Sequence, residues 1–266
     1  MALSSAARVA HAKRYEPIAA LEARAAAMIS APTLKMSPLG FDVIAELKIR
    51  SPAAGVLGNL NQGLDRVLAY ARGGAAAVSV LTEPSRFDGS LEHLRLAAAA
   101  LASCGVPAMR KDFIVDPYQV LEARAAGSGG VLLIVRMLSR SLLSELLEVA
   151  ARYRQFVLLE AFDADDLTLA YEILSASATD AKILVGVNCR DLQTLQMETG
   201  KFPQLASQLS TSWPAVAESG VSTPDDARAV RDLGFSWALI GTALMLSREP
   251  DLLLAEILFA ARASHT

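Results

Sequence analysis

The stretch PAMRKDFIVDPYQVLEARAAG (residues 107–127) contains the repeating unit that decides the fold. Its first part, PAMRK (107–111), has the pattern of a short buried strand that ends on charged residues. The part from 117 to 127 has the pattern of a helix, and Gly127 can end it because glycine adopts the left-handed backbone that closes many helices. A strand followed by a helix is one βα unit, and the same pattern recurs along the chain.

Eight apolar runs rich in Val, Ile and Leu predict eight strands. They are VIAELK (43–48), AAVSVLT (76–82), PAMRK (107–111), VLLIV (131–135), FVLLE (156–160), KILVGV (182–187), PAVAE (214–218) and WALIG (237–241). Their near-continuous apolar character is typical of strands that are buried on both faces of a parallel sheet.

Amphipathic stretches between and after these runs predict helices. They cover 61–73, 89–104, 117–127, 139–153, 163–176, 200–210, 223–234 and 249–264. Asp163 and Thr223 are residues that favour helix N-caps, and Pro224 suits a first helical position. The predicted strands begin at intervals of roughly 22 to 33 residues, the length of a βα unit. Eight such units predict an α/β protein with a (β/α)8 (TIM) barrel. A doubly wound open sheet is the alternative, but no Gly-x-Gly-x-x-Gly follows the first strand.

The first 40 residues precede the first predicted strand and have a helical pattern, most clearly over 15–29. We expect an N-terminal helical extension (1–40) that packs across one end of the barrel. No linker-like stretch interrupts the rest of the chain, so residues 1–266 are predicted to form a single barrel domain.

Composition excludes several classes of function. Hydrophobic residues make up 53% of the 266 residues, charged residues 20%, and the net charge is −3, which argues against disorder and against a nucleic-acid partner. No signal peptide and no membrane-spanning run are found. Cys104 and Cys189 suit a reducing compartment and lack metal-site spacing. The three histidines, His11, His93 and His265, argue against a Ser-His-Asp triad or a histidine-ligated metal. We expect a cytoplasmic protein.

Polar and small residues cluster where the predicted strands end. They are Glu46, Lys48, Lys111, Glu160, Asn188, Arg190, Glu218, Ser219, Gly220, Gly241 and Thr242. Active sites of (β/α)8 barrels form at the carboxyl ends of the strands, so these residues are the candidate site.

Two kinds of chemistry are predicted along this rim. Ser219–Gly220 and Gly241–Thr242 follow the last two strands, where barrels often bind phosphate, and the ALML segment after Thr242 suits a short extra helix. The carboxylates and lysines at the ends of strands 1, 3 and 5 can donate and accept protons, which predicts acid–base catalysis. Burial favours proton donation by a lysine, a nearby carboxylate opposes it, and a Schiff-base lysine is the alternative use.

Several longer motifs resemble the indole-3-glycerol phosphate synthase family of tryptophan biosynthesis. They are AELKIRSP (45–52), SVLTEPSRFDGSLEHL (79–94), RKDFIVDPYQVLEARAAG (110–127), LLEAFD (158–163), VGVNCRDLQT (185–194), AESGVSTPDD (217–226) and LIGTALM (239–245). The resemblance implies a barrel with an N-terminal extension. It also implies ring closure of 1-(2-carboxyphenylamino)-1-deoxyribulose 5-phosphate to indole-3-glycerol phosphate, carbon dioxide and water, with no metal or organic cofactor.

The resemblance also implies roles for the polar residues. Lys111 would be the general acid that protonates the substrate carbonyl, and Glu46 would position Lys111. Lys48 would contact substrate anions and act as the acid in dehydration. Glu160 would take part in the loss of the hydroxyl group. Asn188, grouped with these catalytic residues, would hold the substrate.

The resemblance assigns the remaining matched residues to substrate contacts. Phe87 and Phe113 would line the anthranilate pocket, Ser51 would lie near the substrate carboxylate, and Leu195 would pack on the ring. The other substrate contacts would be Arg190, Glu218 and Ser219, and the phosphate would be bound by Ser219, Gly220, Gly241 and Thr242.

The sequence departs from the common family pattern at four positions. Ala53 and Phe162 stand where the family commonly has serine and histidine. Cys189 replaces the usual Asn or Ser, and Thr242 stands where Ser or Glu is common. None of these changes removes a proton-transfer group.

Two alternative functions stay open. One is another phosphate-binding barrel isomerase or lyase, and the other is a catalytically silent homologue that binds a ligand or partner protein. The partner expected under the main reading is a small phosphorylated substrate. We expect a monomer, with other tryptophan-pathway enzymes as the remaining partner candidates.

Overall fold

The structure is a computed structural model, and it describes residues 1–51, 55–58, 60–177, 179–191, 194, 196–198 and 200–263. Eight parallel strands close into a barrel in chain order. They are β1 (Asp42–Leu47), β2 (Ala77–Leu81), β3 (Ala108–Lys111), β4 (Gly130–Ile134), β5 (Phe156–Ala161), β6 (Ile183–Asn188), β7 (Ala215–Glu218) and β8 (Trp237–Ile240). The barrel closes where β1 pairs with β8, with Asp42 opposite Trp237. The predicted (β/α)8 barrel is therefore confirmed.

Helices precede, connect and follow these strands. They are α1 (Ala2–Tyr15), α2 (Ile18–Ala27), α3 (Leu60–Arg72), α4 (Pro84–Phe87), α5 (Leu91–Ala102), α6 (Pro117–Ala125), α7 (Arg140–Arg152), α8 (Ala164–Ala176), α9 (Lys201–Leu205), α10 (Pro224–Asp232), α11 (Thr242–Leu246) and α12 (Pro250–Arg262). Short 3₁₀ turns cover Val135–Met137 and Ala206–Gln208, and a small antiparallel ladder joins Arg50–Ser51 to Gly55–Val56. No helix in the described part of the chain is long and apolar enough to cross a membrane.

The predicted N-terminal helical extension is confirmed, and the stretch 15–29 contains the helix α2 (Ile18–Ala27). The extension has two helices rather than one, and the helical backbone is interrupted between them at Glu16 and Pro17. Glu16 is extended, with φ −129° and ψ 106°. Proline disfavours the helical conformation of the residue before it, which explains the break. The second helix then begins directly after Pro17.

Side chains alternate along each strand between the barrel interior and the surrounding helices. Val43 and Ala45 of β1 belong to the outer core that the helices cover, whereas Ile44 points inward. The inward core also includes Met109, Leu158 and Val216. These inward residues come from the odd-numbered strands β1, β3, β5 and β7, which is the layered filling expected inside a (β/α)8 barrel.

The N-terminal helices pack beside β3 and the helix that follows it. Val9, Leu21 and Ala25 form a small buried cluster with Tyr118 and Leu121 of α6. The Tyr118 hydroxyl also donates a hydrogen bond of 2.9 Å to the carbonyl of Glu16. This packing brings the start of α1 to the carboxyl end of the barrel.

Candidate active site

A cavity of about 360 Å³ opens at the carboxyl ends of the strands. Its lining includes most of the residues proposed from sequence: Glu46, Lys48, Phe87, Lys111, Phe113, Glu160, Asn188, Arg190, Glu218, Ser219, Gly220, Gly241 and Thr242. Two further candidates cannot be placed. Leu195 and the side chain of Ser51 lie outside the part of the chain that the structure describes.

Four ionisable residues form the floor of this cavity, and we call them the charged layer: Glu46, Lys111, Glu160 and Glu218. Each lies two residues beyond one of the inward apolar residues described above, on β1, β3, β5 and β7 respectively. Side chains two residues apart on a strand share a face, so all four point into the barrel mouth. The layer contains three carboxyl groups and a single ammonium group.

Lys111 lies within the electric field of all three carboxyl groups. Burial lowers the pKa of its ammonium group, but the negative charges of the nearby carboxylates, Glu160 first and then Glu46, outweigh burial, and the pKa lies above its usual value. From the sequence alone these two effects on the pKa cannot be ranked, because the distances between the groups are unknown. In the structure the carboxylates win, so Lys111 is protonated at neutral pH.

Glu160 is held between a cation and an amide. Its Oε2 lies 4.0 Å from Nζ of Lys111. Its Oε1 accepts a hydrogen bond from Nδ2 of Asn188. The side-chain oxygen of Asn188 in turn accepts a 2.9 Å hydrogen bond from the backbone N–H of Arg190. This chain of contacts fixes which face of the Asn188 amide meets Glu160.

Glu46 pairs directly with Lys48 rather than with Lys111. The Lys48 Nζ lies 2.9 Å from Oε1 of Glu46 and donates a 3.2 Å hydrogen bond to Oγ1 of Thr242. Burial raises the pKa of Glu46, but the positive charges of Lys48 and Lys111 outweigh it, so the pKa is lowered. A Cβ atom at Gly241 would lie 2.4 Å from Oε1 of Glu46, so a glycine is needed there to make room for this pair.

Glu218 differs from the other two carboxylates. It is 1% exposed, and neither of its carboxyl oxygens has a hydrogen-bond partner. Burial, together with the negative charge of Glu160, raises its pKa well above the usual value, and the charge of Lys111 does not cancel this. The protonated form of Glu218 is therefore favoured more than in an exposed carboxyl group, and in the described part of the chain no protein group bonds to its oxygens at the floor of the cavity.

Asp112, beside Lys111, is fixed by two arginines. Arg110 Nη2 lies 3.0 Å from Oδ2 of Asp112, and Arg8 Nη2 of α1 lies 2.7 Å from Oδ1. Thr82 also donates a 2.8 Å hydrogen bond to this carboxylate. Burial raises the pKa of Asp112, but Arg110 and Arg8 outweigh it and hold the pKa well below its usual range. These contacts fix the segment that carries Lys111.

Phe113 and Phe87 line one wall of the cavity. The carbonyl of Phe113 accepts a hydrogen bond from Ser5 of α1. Phe87 ends the short helix α4, whose N-cap Glu83 accepts hydrogen bonds from the backbone N–H groups of Ser85 and Arg86. Both residues that the family resemblance assigns to the anthranilate pocket therefore line this cavity.

Sequence reasoning missed Met1, Glu83 and Arg86, which also line the cavity. Met1 carried no signal, because its approach depends on packing between segments more than 100 residues apart. Glu83 and Arg86 could have been found, since they flank the Pro84 that starts a helix in the loop after β2.

The turns after β7 and β8 form another part of the cavity wall. Ser219 and Gly220 both adopt left-handed backbone, with φ values of 66° and 76°. A Cβ atom at Gly220 would also lie 3.0 Å from Sγ of Cys189, so the position requires glycine on two counts. Thr242 begins the short helix α11, as the ALML segment predicted. In the described part of the chain, no group of three or more His, Cys, Asp or Glu residues could hold a metal ion.

Comparison with known proteins decides the family. The sequence profile described as "Indole-3-glycerol phosphate synthase" matches residues 2–257. This chain belongs to the indole-3-glycerol phosphate synthase family. A relative of that name from Leifsonia xyli subsp. xyli is 42% identical over 236 residues, which covers 87% of this chain and 86% of the relative. Another from Mycobacterium tuberculosis (strain CDC 1551 / Oshkosh) is 38% identical over 253 residues, covering 94% and 89%.

Solved structures with low sequence identity show the same fold. A 3-hexulose-6-phosphate synthase from Salmonella typhimurium superimposes with a TM-score of 0.64 at 11% identity and covers 83% of this chain and 98% of its own. Thiamine phosphate pyrophosphorylase from Pyrococcus furiosus gives a TM-score of 0.60 at 14% identity, covering 84% and 96%. At such identities the likeness establishes the barrel alone.

Two of the departures from the indole-3-glycerol phosphate synthase pattern lie next to the cavity wall rather than in it. Phe162 is 1% exposed, and the guanidinium carbon of Arg136 lies 4.9 Å from the centre of its ring. Cys189 is fully buried against Gly220. The third, Thr242, lines the cavity and accepts the hydrogen bond from Lys48. Ala53 lies outside the described residues.

Proposed function

We propose that this protein closes the indole ring of 1-(2-carboxyphenylamino)-1-deoxyribulose 5-phosphate, with Lys111 as the general acid. The products are indole-3-glycerol phosphate, carbon dioxide and water. The observation that carries the proposal is the charged layer, which places a protonated lysine beside three carboxyl groups in the cavity floor. Membership of the indole-3-glycerol phosphate synthase family supports the same reaction.

The first step joins the aromatic carbon that carries the carboxylate to the ketone carbon of the sugar chain. Negative charge develops on the ketone oxygen as this bond forms, and Lys111 donates a proton to it. A positioned acid is typically worth about 10²–10⁴-fold in rate. Carbon dioxide then leaves the same aromatic carbon, and its bonding electrons restore the aromatic ring.

The last step removes the new hydroxyl group as water. An acid must protonate the leaving hydroxyl, and a base must accept a proton from the neighbouring methylene carbon. We assign the acid role to Lys48, and Glu160 takes part in the loss of the hydroxyl group as the base that accepts the methylene proton. The support is that Lys48 has a carboxylate partner, Glu46, at 2.9 Å. Asn188 orients Glu160 for this step through the hydrogen bond between them.

The two ends of the substrate fit the two walls of the cavity. We propose that the anthranilate ring lies against Phe87 and Phe113, and that Glu218 contacts the substrate from the floor. The phosphate lies at Ser219, Gly220, Gly241 and Thr242, and Arg190 neutralises substrate charge. Ser51 and Leu195 keep the ring-side contacts that the family resemblance implies. The support is that the aromatic residues, after β2 and β3, and the small residues, after β7 and β8, line the same cavity.

We also propose that the protein works as a cytoplasmic monomer on this small phosphorylated substrate. One chain supplies all four residues of the charged layer, so the chemistry needs no second copy. Light scattering at the concentration of the activity assay tests this.

Turnover is tested by incubating the purified protein with the carboxyphenylamino-deoxyribulose phosphate and following the fluorescence of the indole product. We expect steady product formation by the wild-type protein. No product at high protein concentration would favour a catalytically silent homologue. An isomerised substrate that keeps its carboxylate would favour a different phosphate-binding barrel enzyme.

A further inference from the structure

One of the inward-facing positions of β6 has no side chain, because it is a glycine. Leu184 and Asn188 point into the barrel, and Gly186 lies between them on the same face. Gly186 is opposite Glu160 in the pairing of β5 with β6, and Asn188 is opposite Glu218 in the pairing of β6 with β7. The absence of a side chain at position 186 therefore leaves space beside two carboxyl groups of the charged layer.

The Glu218 carboxyl group occupies this space. A Cβ atom built on Gly186 would lie 2.0 Å from Oε1 of Glu218 and 2.9 Å from its carboxyl carbon. Real Cβ atoms do not approach other atoms this closely, so any side chain at position 186 would displace the carboxyl group. The nearest other atom, Cδ1 of Leu158, would be 3.1 Å away and could be accommodated by a small movement.

We propose that Gly186 is a positioning residue for the ring-closure reaction. Because Gly186 has no side chain, it leaves a space that holds the Glu218 carboxyl group, and we call this space the Glu218 seat. The inference rests on the function proposed above. In this seat Glu218 is buried with both oxygens unpartnered, so a substrate hydroxyl or carbonyl can become its hydrogen-bond partner. Displacement from the seat would move the carboxyl group toward the other members of the charged layer.

Backbone strain does not explain the glycine. Gly186 is absent from the glycines with left-handed backbone, and it lies in the middle of a regular strand. A larger residue would be compatible with the strand itself, where glycine is usually unfavourable. The close approach of Glu218 is therefore the specific reason for glycine at this position.

The test is a double-mutant cycle of Gly186→Ala and Glu218→Ala, with Gly200→Ala as the matched control. Gly200 has φ −65° and ψ −13°, and a Cβ atom there would meet only Nε2 of Gln204 at 3.7 Å. We expect Gly186→Ala to lower the thermal unfolding midpoint by about 2 to 10 °C, the usual consequence of overpacking. In the Glu218→Ala background the same substitution should leave the midpoint unchanged, because the clashing carboxyl group is gone.

Activity gives a second reading of the cycle. We expect Gly186→Ala to lower kcat/KM about 10²-fold, the effect of moving a substrate-contacting group by about 1 Å. The pH profile of kcat/KM should also change shape, because the displaced carboxyl group titrates in a different field. In the Glu218→Ala background, Gly186→Ala should cause no further loss.

The two measurements distinguish failure of this inference from failure of the proposed function. The thermal cycle needs no substrate, so it tests the seat even if wild-type protein is inactive. If Gly186→Ala alone does not fold, folding of the double variant supports the inference. Equal losses of midpoint and of kcat/KM in both backgrounds would overturn it, and so would a double variant that does not fold.

Discussion

The Nζ atom of Lys111 lies 4.0 Å from Oε2 of Glu160, beyond hydrogen-bonding distance. The two groups therefore interact through charge, and Lys111 keeps its donor protons for another acceptor. The ammonium is nevertheless stabilised, because the negative charges of Glu160 and Glu46 raise its pKa above the usual value. The geometry describes a proton donor that is charged before the substrate arrives.

Two substitutions can distinguish proton donation by Lys111 from the effect of its positive charge. Lys111→Arg preserves a cation beside Glu160, but arginine does not release its protons in proteins. Lys111→Met removes both the charge and the proton. If Lys111 is the general acid, kcat of both variants should fall by about 10²–10⁴-fold. Substrate binding should largely survive in Lys111→Arg. Steady-state kinetics would contradict the role if either variant kept more than about a tenth of the wild-type kcat.

The raised pKa of Glu218 predicts that its contribution to the free energy of unfolding falls as the pH rises. Its pKa in the folded chain is raised above the unfolded value of about 4.3. Between these two values the folded chain binds the extra proton, so stability falls as the pH rises. Glu218→Gln removes this dependence, and its free energy of unfolding should increase relative to wild type from about pH 4.5 upward.

Glu46→Gln is the matched comparison, because the pKa of Glu46 is shifted in the opposite direction. A lowered pKa contributes stability that is present above the unfolded value and is lost as the pH falls. Relative to wild type, Glu46→Gln should therefore become less stable as the pH rises. Urea unfolding between pH 2 and 8 measures both trends, because the Glu46 difference develops below about pH 5 and the Glu218 difference above about pH 4.5. Parallel curves for the two variants would contradict the assignment.

Breaking the buried Arg110–Asp112 ion pair should lower the free energy of unfolding much more than breaking the exposed Arg24–Glu16 pair. In the Arg110–Asp112 pair the side chains are 2% and 0% exposed, so Arg110→Met leaves a buried carboxylate with fewer donors. Breaking such a pair typically costs about 3–5 kcal/mol. Arg24→Met breaks the exposed pair with Glu16 and should cost under about 1 kcal/mol. Similar small losses in urea unfolding would show that the buried pair does not stabilise the Lys111 segment.

Much of the fold could be predicted because apolar runs and helix signals are local. Asp163 and Thr223 are N-caps as expected, each accepting a hydrogen bond from the first turn of its helix. The N-terminal helix break at Pro17 was missed, although a proline carries that signal. The contact between Arg8 and Asp112 was out of reach, because it joins residues 104 positions apart.

The sequence was enough to predict which residues form the site, but not which of their side chains pair with each other. The rule that active sites form at strand ends was enough to select Glu46, Lys48 and Lys111 from the sequence. That Glu46 pairs with Lys48 while Lys111 faces Glu160 depends on side-chain distances. The seat of Glu218 at Gly186 likewise depends on the depth at which a side chain enters the barrel.

Ser219 provides a test of the phosphate end of the cavity. Its φ of 66° is unusual for a residue with a side chain, so Ser219→Gly removes the hydroxyl without adding strain. If the hydroxyl binds phosphate equally in the ground and transition states, KM should rise while kcat stays near the wild-type value. Ser222→Gly, two residues beyond the left-handed pair, is the comparison in the same cavity wall. A fall in kcat at unchanged KM would contradict the phosphate role of Ser219.

The central claim is that this chain closes the indole ring with loss of the substrate carboxylate, through proton donation by Lys111. Substrate labelled with ¹³C in the carboxyl group tests it most directly, by comparing labelled carbon dioxide with indole product in one reaction. We expect one labelled carbon dioxide for each indole-3-glycerol phosphate with wild-type protein, and almost none of either with Lys111→Arg. Substrate consumption with the label retained, or equal release by Lys111→Arg, would contradict it.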